Sequence, residues 1–325
     1  MPGLNPDHLT EAILFSDTEV SVHDGIPRPF YHLRNTMFGE WQIPPWELTI
    51  YRDRVLGDGT FSRVYLAKWR ETYVVAKVIS RELLEFKKYL IEREIDIMSK
   101  LHHPNIVQFL GFVENPFVIV MEYIPNGNLQ TRIPHLKLAQ KLQIMRNILQ
   151  ALLYLHIRKP HSLIHRDIKP TNILLTTSNF AKISDFGLSR FHCLQKSLSH
   201  DDLSNLEHDN TEWTDVVGTE RYLAPEMTVD NKLYTNKIDI YSTGILLYEL
   251  FENTRYRPAD GFHWYKCPRS IRRIIEESML QQSPEHRSDA QTILHRLDEV
   301  SSTTLAERVR RVSRYFWRDR GVWKV

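Results

Sequence analysis

His165-Arg166-Asp167-Ile168-Lys169-Pro170-Thr171-Asn172 is followed, 13 residues after its asparagine, by Asp185-Phe186-Gly187. A carboxylate, an amine and two oxygen donors recur here at short intervals. Moving a phosphoryl group needs little covalent help from a protein. It needs negative charge neutralised, metal ions held by carboxylate and amide oxygens, and an attacking hydroxyl aimed in line. These residue types fit that chemistry: Asp167 to accept a hydroxyl proton, Lys169 to stabilise the transferring group, Asn172 and Asp185 to hold Mg²⁺. The plain alternative is a set of scattered polar loop residues, and the order of the remaining signals weighs against it.

Upstream lies Gly57-Asp58-Gly59-Thr60-Phe61-Ser62-Arg63-Val64. Glycines between two strands let backbone N–H groups approach a phosphate with no Cβ in the way. Alone, the pattern equally describes a tight hairpin. No G-K-[ST] follows, which excludes a Walker-type loop. Lys77 then falls inside the apolar run Tyr73-Val74-Val75-Ala76-Lys77-Val78-Ile79. A lysine there is costly to bury unless an anion neutralises it, although a snorkelling edge lysine is the ordinary explanation. In the next helical stretch Glu94 shares the face of Ile91 and Met98, so the two charges are expected to pair.

Short runs rich in β-branched and aromatic residues, Leu48–Leu56, Arg63–Lys68 and Tyr73–Ile79, are separated by turn signals and predict an antiparallel meander. A helix is expected over about 82–100, with Leu84, Ile91, Ile95, Met98 and Leu101 on its buried face. Two strands follow, Ile106–Phe112 and Phe117–Met121. Beyond Asn126-Gly127-Asn128 the chain reads as mainly helical: Leu138–His156, Ile238–Phe251, about 270–281 and 289–299. Strands first and helices later give an α+β chain of two segregated lobes. Residues 1–45 carry six of the prolines and read as an irregular flank.

Of the 325 residues, 42% are hydrophobic and 25% charged, and the formal charge is +2, ordinary for a globular protein. That balance gives no sign of nucleic-acid or membrane-surface binding. Two cysteines, Cys193 and Cys267, make neither a disulfide framework nor a zinc site. The first 15 residues lack a signal-peptide pattern, and no apolar run is long enough to span a bilayer. A cytosolic or nuclear setting is the expectation.

With these signals in order, the sequence resembles the eukaryotic protein kinase family over about residues 48–299. The likeness runs through Leu56-Gly57-Asp58-Gly59, Lys77, Glu94, His103-Pro104-Asn105-Ile106-Val107, the His-Arg-Asp and Asp-Phe-Gly motifs, Gly218-Thr219-Glu220-Arg221-Tyr222-Leu223-Ala224-Pro225-Glu226, Asp239-Ile240-Tyr241-Ser242-Thr243-Gly244 and Arg287. It implies a bilobal kinase fold. The N-lobe, about 46–123, would hold a five-stranded antiparallel sheet and one helix; the C-lobe, about 124–300, would be mainly helical, and 301–325 a basic tail. It implies ATP with Mg²⁺, or Mn²⁺ in its place, and protein substrates. Asp167, Lys169, Lys77 and Glu94 become the catalytic set, and Asn172 and Asp185 the metal ligands. Leu56, Gly57, Gly59, Val64, Val75, Met121, Glu122, Ile124, Asn128 and Leu174 would contact nucleotide, Met121 as gatekeeper and Glu122 and Ile124 through their backbones. Met98, Phe109, His165 and Phe186 would form a stacked spine, and Glu226 would pair with Arg287.

Lys169-Pro170 and the Gly-Thr-x-x-Tyr run are similar to serine/threonine kinases. Trp41–Leu48 and His-Pro-Asn-Ile-Val-Gln-Phe-Leu-Gly resemble the tyrosine-kinase-like group. The departures are Val75 in place of a smaller alanine, Ser62 in place of a third glycine, and a stretch between Leu250 and Cys267 too short for the usual helix. The 42 residues from Asp185 to Glu226 form a long segment in which Ser197, Ser199, Ser204, Thr211 and Thr214 are candidate phosphate acceptors, with Arg166 and Arg190 to meet the phosphate. These departures keep a second reading open, a pseudokinase scaffold that binds nucleotide and partners without catalysis.

Overall fold

A computed structural model describes residues 39–59, 62–81, 84, 88–159, 162–192, 220–228 and 234–300. The chain divides into two compact units. One runs to Leu101 and takes in Gln108–Tyr123; the other holds His102–Val107 and the chain from Ile124 on. The candidate acceptors Ser197, Ser199, Ser204, Thr211 and Thr214, and the tail after 300, lie outside the described residues.

The first unit is an antiparallel sheet of β1 (Leu48–Asp58), β2 (Ser62–Trp69), β3 (Thr72–Ile79), β4 (Phe109–Val113) and β5 (Val118–Glu122), in the order β1-β2-β3-β5-β4. Arg70 and Glu71 close the β2–β3 hairpin with left-handed φ values of 44° and 63°. Side chains alternate across a strand, and the alternation here has a purpose. Val74 and Ala76 point into a core with Ile43, Leu48, Ala67, Val113, Val118 and Val120. Val75 and Lys77 point the other way. Helix α1 (Lys88–Ser99) buries Ile91, Ile95 and Met98, the face that the apolar spacing predicts.

Residues 41–43, at the end of the flank, join this unit. Gln42 bridges Phe112, the Ile43 N–H donates to the Phe112 carbonyl at 2.8 Å, and the Trp41 and Phe109 rings meet at 5.3 Å. Gly111 makes that approach possible. Its φ is +153°, and a Cβ there would sit 2.5 Å from the Trp41 carbonyl oxygen, so only glycine fits.

The second unit holds α2 (Leu129–Arg132), α3 (Leu138–His156), β6 (Ser162–Ile164), β7 (Ile173–Leu175), β8 (Ala181–Ile183), β9 (Arg190–His192), α4 (Lys237–Glu252), α5 (Arg269–Ser278) and a helix α6 over residues 290–300. All of α4 after Lys237 is buried, which is why it reads as apolar on every side. The reading of Ile106–Phe112 as one strand is corrected. Ile106 and Val107 pair with Ile183 in the second unit, and the strand of the first unit starts at Phe109. One apolar run thus serves two units, which composition alone cannot separate. No helix forms between Glu252 and Arg269, in line with the short spacing there.

Candidate active site

In the first unit the pairing register collects one set of side chains. Val64 stands opposite Lys77, Lys77 opposite Ile119, and Val75 opposite Leu66 and Met121. Residues directly opposite in antiparallel strands share a face. Val64, Val75, Lys77 and Met121 therefore present together, turned from the apolar core. Leu56, about half exposed, sits where β1 shifts register between Val55 and Gly57. Val75 is only 9% exposed, so its extra methyl groups over an alanine fill this face. The Gly59 N–H donates to the Ser62 carbonyl at 3.0 Å, closing the hairpin. A Cβ on Gly59 would press on that carbonyl at 3.3 Å. The Asp58 carboxylate also takes two hydrogen bonds from the Arg63 guanidinium across the hairpin, a clasp that residue types alone did not announce.

Lys77 Nζ meets Glu94 Oε1 at 2.6 Å, the side chains 15% and 8% exposed. The pair forms because β3 and α1 each turn their charged residue to the same side. Burial strengthens the attraction and demands it, since either charge alone would be costly there.

The second unit carries the polar loop. Asp167 is 7% exposed. Its Oδ2 receives Lys169 Nζ at 2.7 Å and Asn172 Nδ2 at 2.8 Å, and the same Nδ2 donates to the Asp167 carbonyl at 2.9 Å. Both amide contacts run through nitrogen, so Asn172 Oδ1 is the atom left to meet a cation. The Asn172 carbonyl accepts from the Ser184 N–H and hydroxyl, which ties the asparagine to the residue before Asp185. Asp185 is exposed with φ 62°, a left-handed conformation uncommon outside glycine and found at functional turns. An amide oxygen and a carboxylate are hard donors that suit Mg²⁺ when phosphate and water complete the shell. No cluster of three or more His, Cys, Asp or Glu able to hold a metal alone occurs among the described residues.

His165 is fully buried. Its Nδ1 lies 3.3 Å from the Asp167 N–H and its Nε2 3.1 Å from the Ser184 carbonyl. The backbone donor at Nδ1 places the ring proton on Nε2. The Phe186 ring packs edge-on to it at 4.9 Å. Arg166 is left-handed, φ 70°, and Asp239 holds the chain in that shape. Asp239 Oδ2 accepts from the His165 N–H and Oδ1 from the Arg166 N–H, each at 2.9 Å, and His156 Nε2 lies 3.0 Å from Oδ2. Burial pushes the Asp239 carboxyl up, yet the hydrogen bond and charge of His156, with the field and N–H of His165, outweigh it and hold the group below its ordinary value. The sequence placed Asp239 in a motif but gave it no task; its position at the start of an all-buried helix was the signal.

The remaining calls divide by unit. Glu122 donates its N–H to the Gln108 carbonyl and accepts the Gln108 N–H on its carboxylate. Ile124 is buried. Asn128 caps α2 by accepting the Thr131 N–H on its Oδ1, and pairs with Leu174 through the backbone. Met98 and Phe109 are buried in the first unit, His165 and Phe186 in the second. Arg287 and Glu226 form a two-pronged pair at 2.6 and 2.8 Å. Arg190 is buried beside Ser189, donating to its carbonyl.

Comparison with known proteins agrees with this arrangement. Residues 50–304 match the protein kinase domain. The serine/threonine-protein kinase VIK of Arabidopsis thaliana is 34% identical over 288 residues, covering 81% of this chain and 63% of that protein. The calmodulin-binding receptor-like cytoplasmic kinase 1 of the same plant is 36% identical, covering 68% of this chain and 45% of its own length. The probable serine/threonine-protein kinase drkD of Dictyostelium discoideum is 32% identical, covering 72% of this chain and 17% of that protein. The chain thus spans less than two thirds of each of these relatives. The family match takes in both units, the Lys77–Glu94 pair and the Asp167 loop, and the chain belongs to the protein kinase domain family.

Proposed function

We propose that the chain is an active serine/threonine protein kinase, using ATP and magnesium, of the tyrosine-kinase-like group. The observation that carries this is the Asp167 carboxylate, pinned by Lys169 and Asn172 in a loop that Asp239 holds through two backbone N–H groups. A buried carboxylate fixed to within one rotamer is what orienting a hydroxyl requires. Asp167 accepts the proton of a Ser or Thr hydroxyl. Lys169 sits on the same oxygen as Asn172 and is placed to follow negative charge onto the phosphoryl oxygens. Lys77, steadied by Glu94, neutralises phosphate. Asn172 and Asp185 would hold Mg²⁺, which when bound offsets charge on the phosphates. Lys169-Pro170 supports Ser/Thr over Tyr, and the relatives named above as serine/threonine kinases point the same way.

One observation favours the scaffold alternative: the buried Val75 crowds the face that Lys77 shares. The two readings separate in a radiolabelled ATP assay with a generic protein substrate, followed by phosphoamino-acid analysis. Label on serine and threonine is expected. Label on tyrosine alone would overturn the substrate class, and no transfer by folded protein would overturn the enzyme reading.

A further inference from the structure

The 16 residues between α4 and α5, 253–268, do not trail as a loose linker. Tyr248, on the last turns of α4, gathers them. The rings of Tyr256, Phe262 and Trp264 meet it edge-on at 5.9, 5.1 and 5.0 Å, and Tyr256 stacks on Phe262 at 4.5 Å. The Tyr248 hydroxyl accepts the His263 N–H. Glu252, 3% exposed, accepts three consecutive backbone N–H groups, those of Tyr265, Lys266 and Cys267. A buried carboxylate saturated by backbone donors is a strong staple. The segment is therefore a rigid knot.

The knot borders an open pocket of about 540 Å³, with Tyr248, Arg255, Arg257, Asp260, Tyr265 and Lys266 among its walls. That size suits a few side chains of a ligand. Two features of its rim stand out. Tyr265 is 84% exposed although Glu252 fixes its backbone, so a large aromatic ring is presented to solvent by a rigid frame. Arg255, Arg257 and Lys266 are exposed, and none of the three forms an ion pair with a described residue, whereas in α5 next door Arg272 and Arg273 pair with Glu276 and Glu277. Aromatic and arginine side chains on a preorganised frame are the groups that dominate protein recognition.

We propose that this knot is a docking site for an acidic peptide segment of a partner protein. Three cations around one exposed tyrosine select carboxylate side chains flanking an apolar or aromatic residue. The site is concave, and Asp260 stands on its rim, which disfavours a flat anionic membrane and the continuous charge of a nucleic acid. The binding needs no phosphate transfer, so it stands or falls separately from the catalytic reading.

The test is fluorescence anisotropy on the full chain with fluorescein-labelled Glu-Glu-Ala-Tyr-Glu-Glu-Ala-Glu, and with the lysine-for-glutamate version as control. Wild type is expected to bind the acidic peptide and not the basic one, less tightly as salt rises. The Arg255→Glu/Arg257→Glu double variant should weaken acidic binding at least about tenfold, and Tyr265→Ala about threefold to tenfold. All three positions are exposed, so thermal unfolding of the variants should match wild type. Unchanged affinity in the double variant would overturn the proposal. So would tighter binding of a short RNA, or of phosphatidylserine vesicles, through the same two arginines.

Discussion

Two ion pairs, one in each unit, look alike on paper and differ in construction. Lys77 and Glu94 meet through a single contact, and the lysine retains 15% exposure. Arg287 and Glu226 meet through two, and the guanidinium is sealed at 0% exposure. Arg287 spends every donor. Nε goes to the Gln281 carbonyl, Nη1 also to that of Lys237, and Nη2 also to that of Gln282, while the ring of Tyr241 lies beneath at 4.8 Å. A planar fork with five donors suits a fixed joint; a point charge on a flexible stem suits a group that must meet a ligand. The comparison teaches that burial alone does not mark a functional pair. What separates them is the head group and its exposure: Arg287 is a rigid fork sealed at 0% exposure, and Lys77 a flexible stem that retains 15%.

The largest effect expected from this contrast is on stability. Arg287→Ala leaves Glu226 buried without that partner and takes a donor from three carbonyls, and should cost about 3–5 kcal/mol in chemical denaturation. A cost no greater than that of Lys77→Met would break the comparison.

Asp239→Asn comes next. It keeps the shape but loses a charge that two N–H groups and His156 use, at an expected cost of about 1.5–3 kcal/mol. The sign with pH follows. The folded carboxyl is held below its ordinary value, so its stabilisation is complete above the unfolded value of about 4 and fades as pH falls through the lower folded value. The variant should lose stability near neutrality and show a flatter acid limb; an acid limb as steep as that of wild type would contradict the assignment.

Lys77→Met sharpens the contrast with the smallest stability change, below the about 3–5 kcal/mol of a sealed pair because the lysine keeps 15% exposure, set against a loss of phosphate transfer of roughly a hundredfold or more. Stability and activity falling in proportion would show that Lys77 is a joint like Arg287.

Much of the fold and most of the candidate site were legible because they rest on local pattern. Alternating β-branched residues set β2 and β3, and the spacing of Ile91, Ile95 and Met98 set the face of α1 from which Glu94 could be paired with Lys77. The motif spacing placed Asp167, Asn172 and Asp185. What escaped reading depends on partners distant in sequence. Ile106 and Val107 are as apolar as Phe109, and only their pairing with Ile183 assigns them to another unit. Asp239 acts through backbone N–H groups more than 70 residues away. The cap that Asn128 Oδ1 gives α2 rests on the Thr131 N–H, a contact that depends on where that short helix begins. The knot at 253–268 showed in the sequence only as a spacing too short for a helix, because its order comes from Glu252 and Tyr248 gathering backbone and rings.

The most direct measurement is phosphate transfer by Asp167→Asn beside wild type, with MgATP binding followed on the same samples. The asparagine keeps the shape of the carboxylate and loses its ability to take a proton. Transfer is predicted to fall by roughly a hundredfold to ten-thousandfold while nucleotide binding persists. Full transfer by the variant would contradict the account.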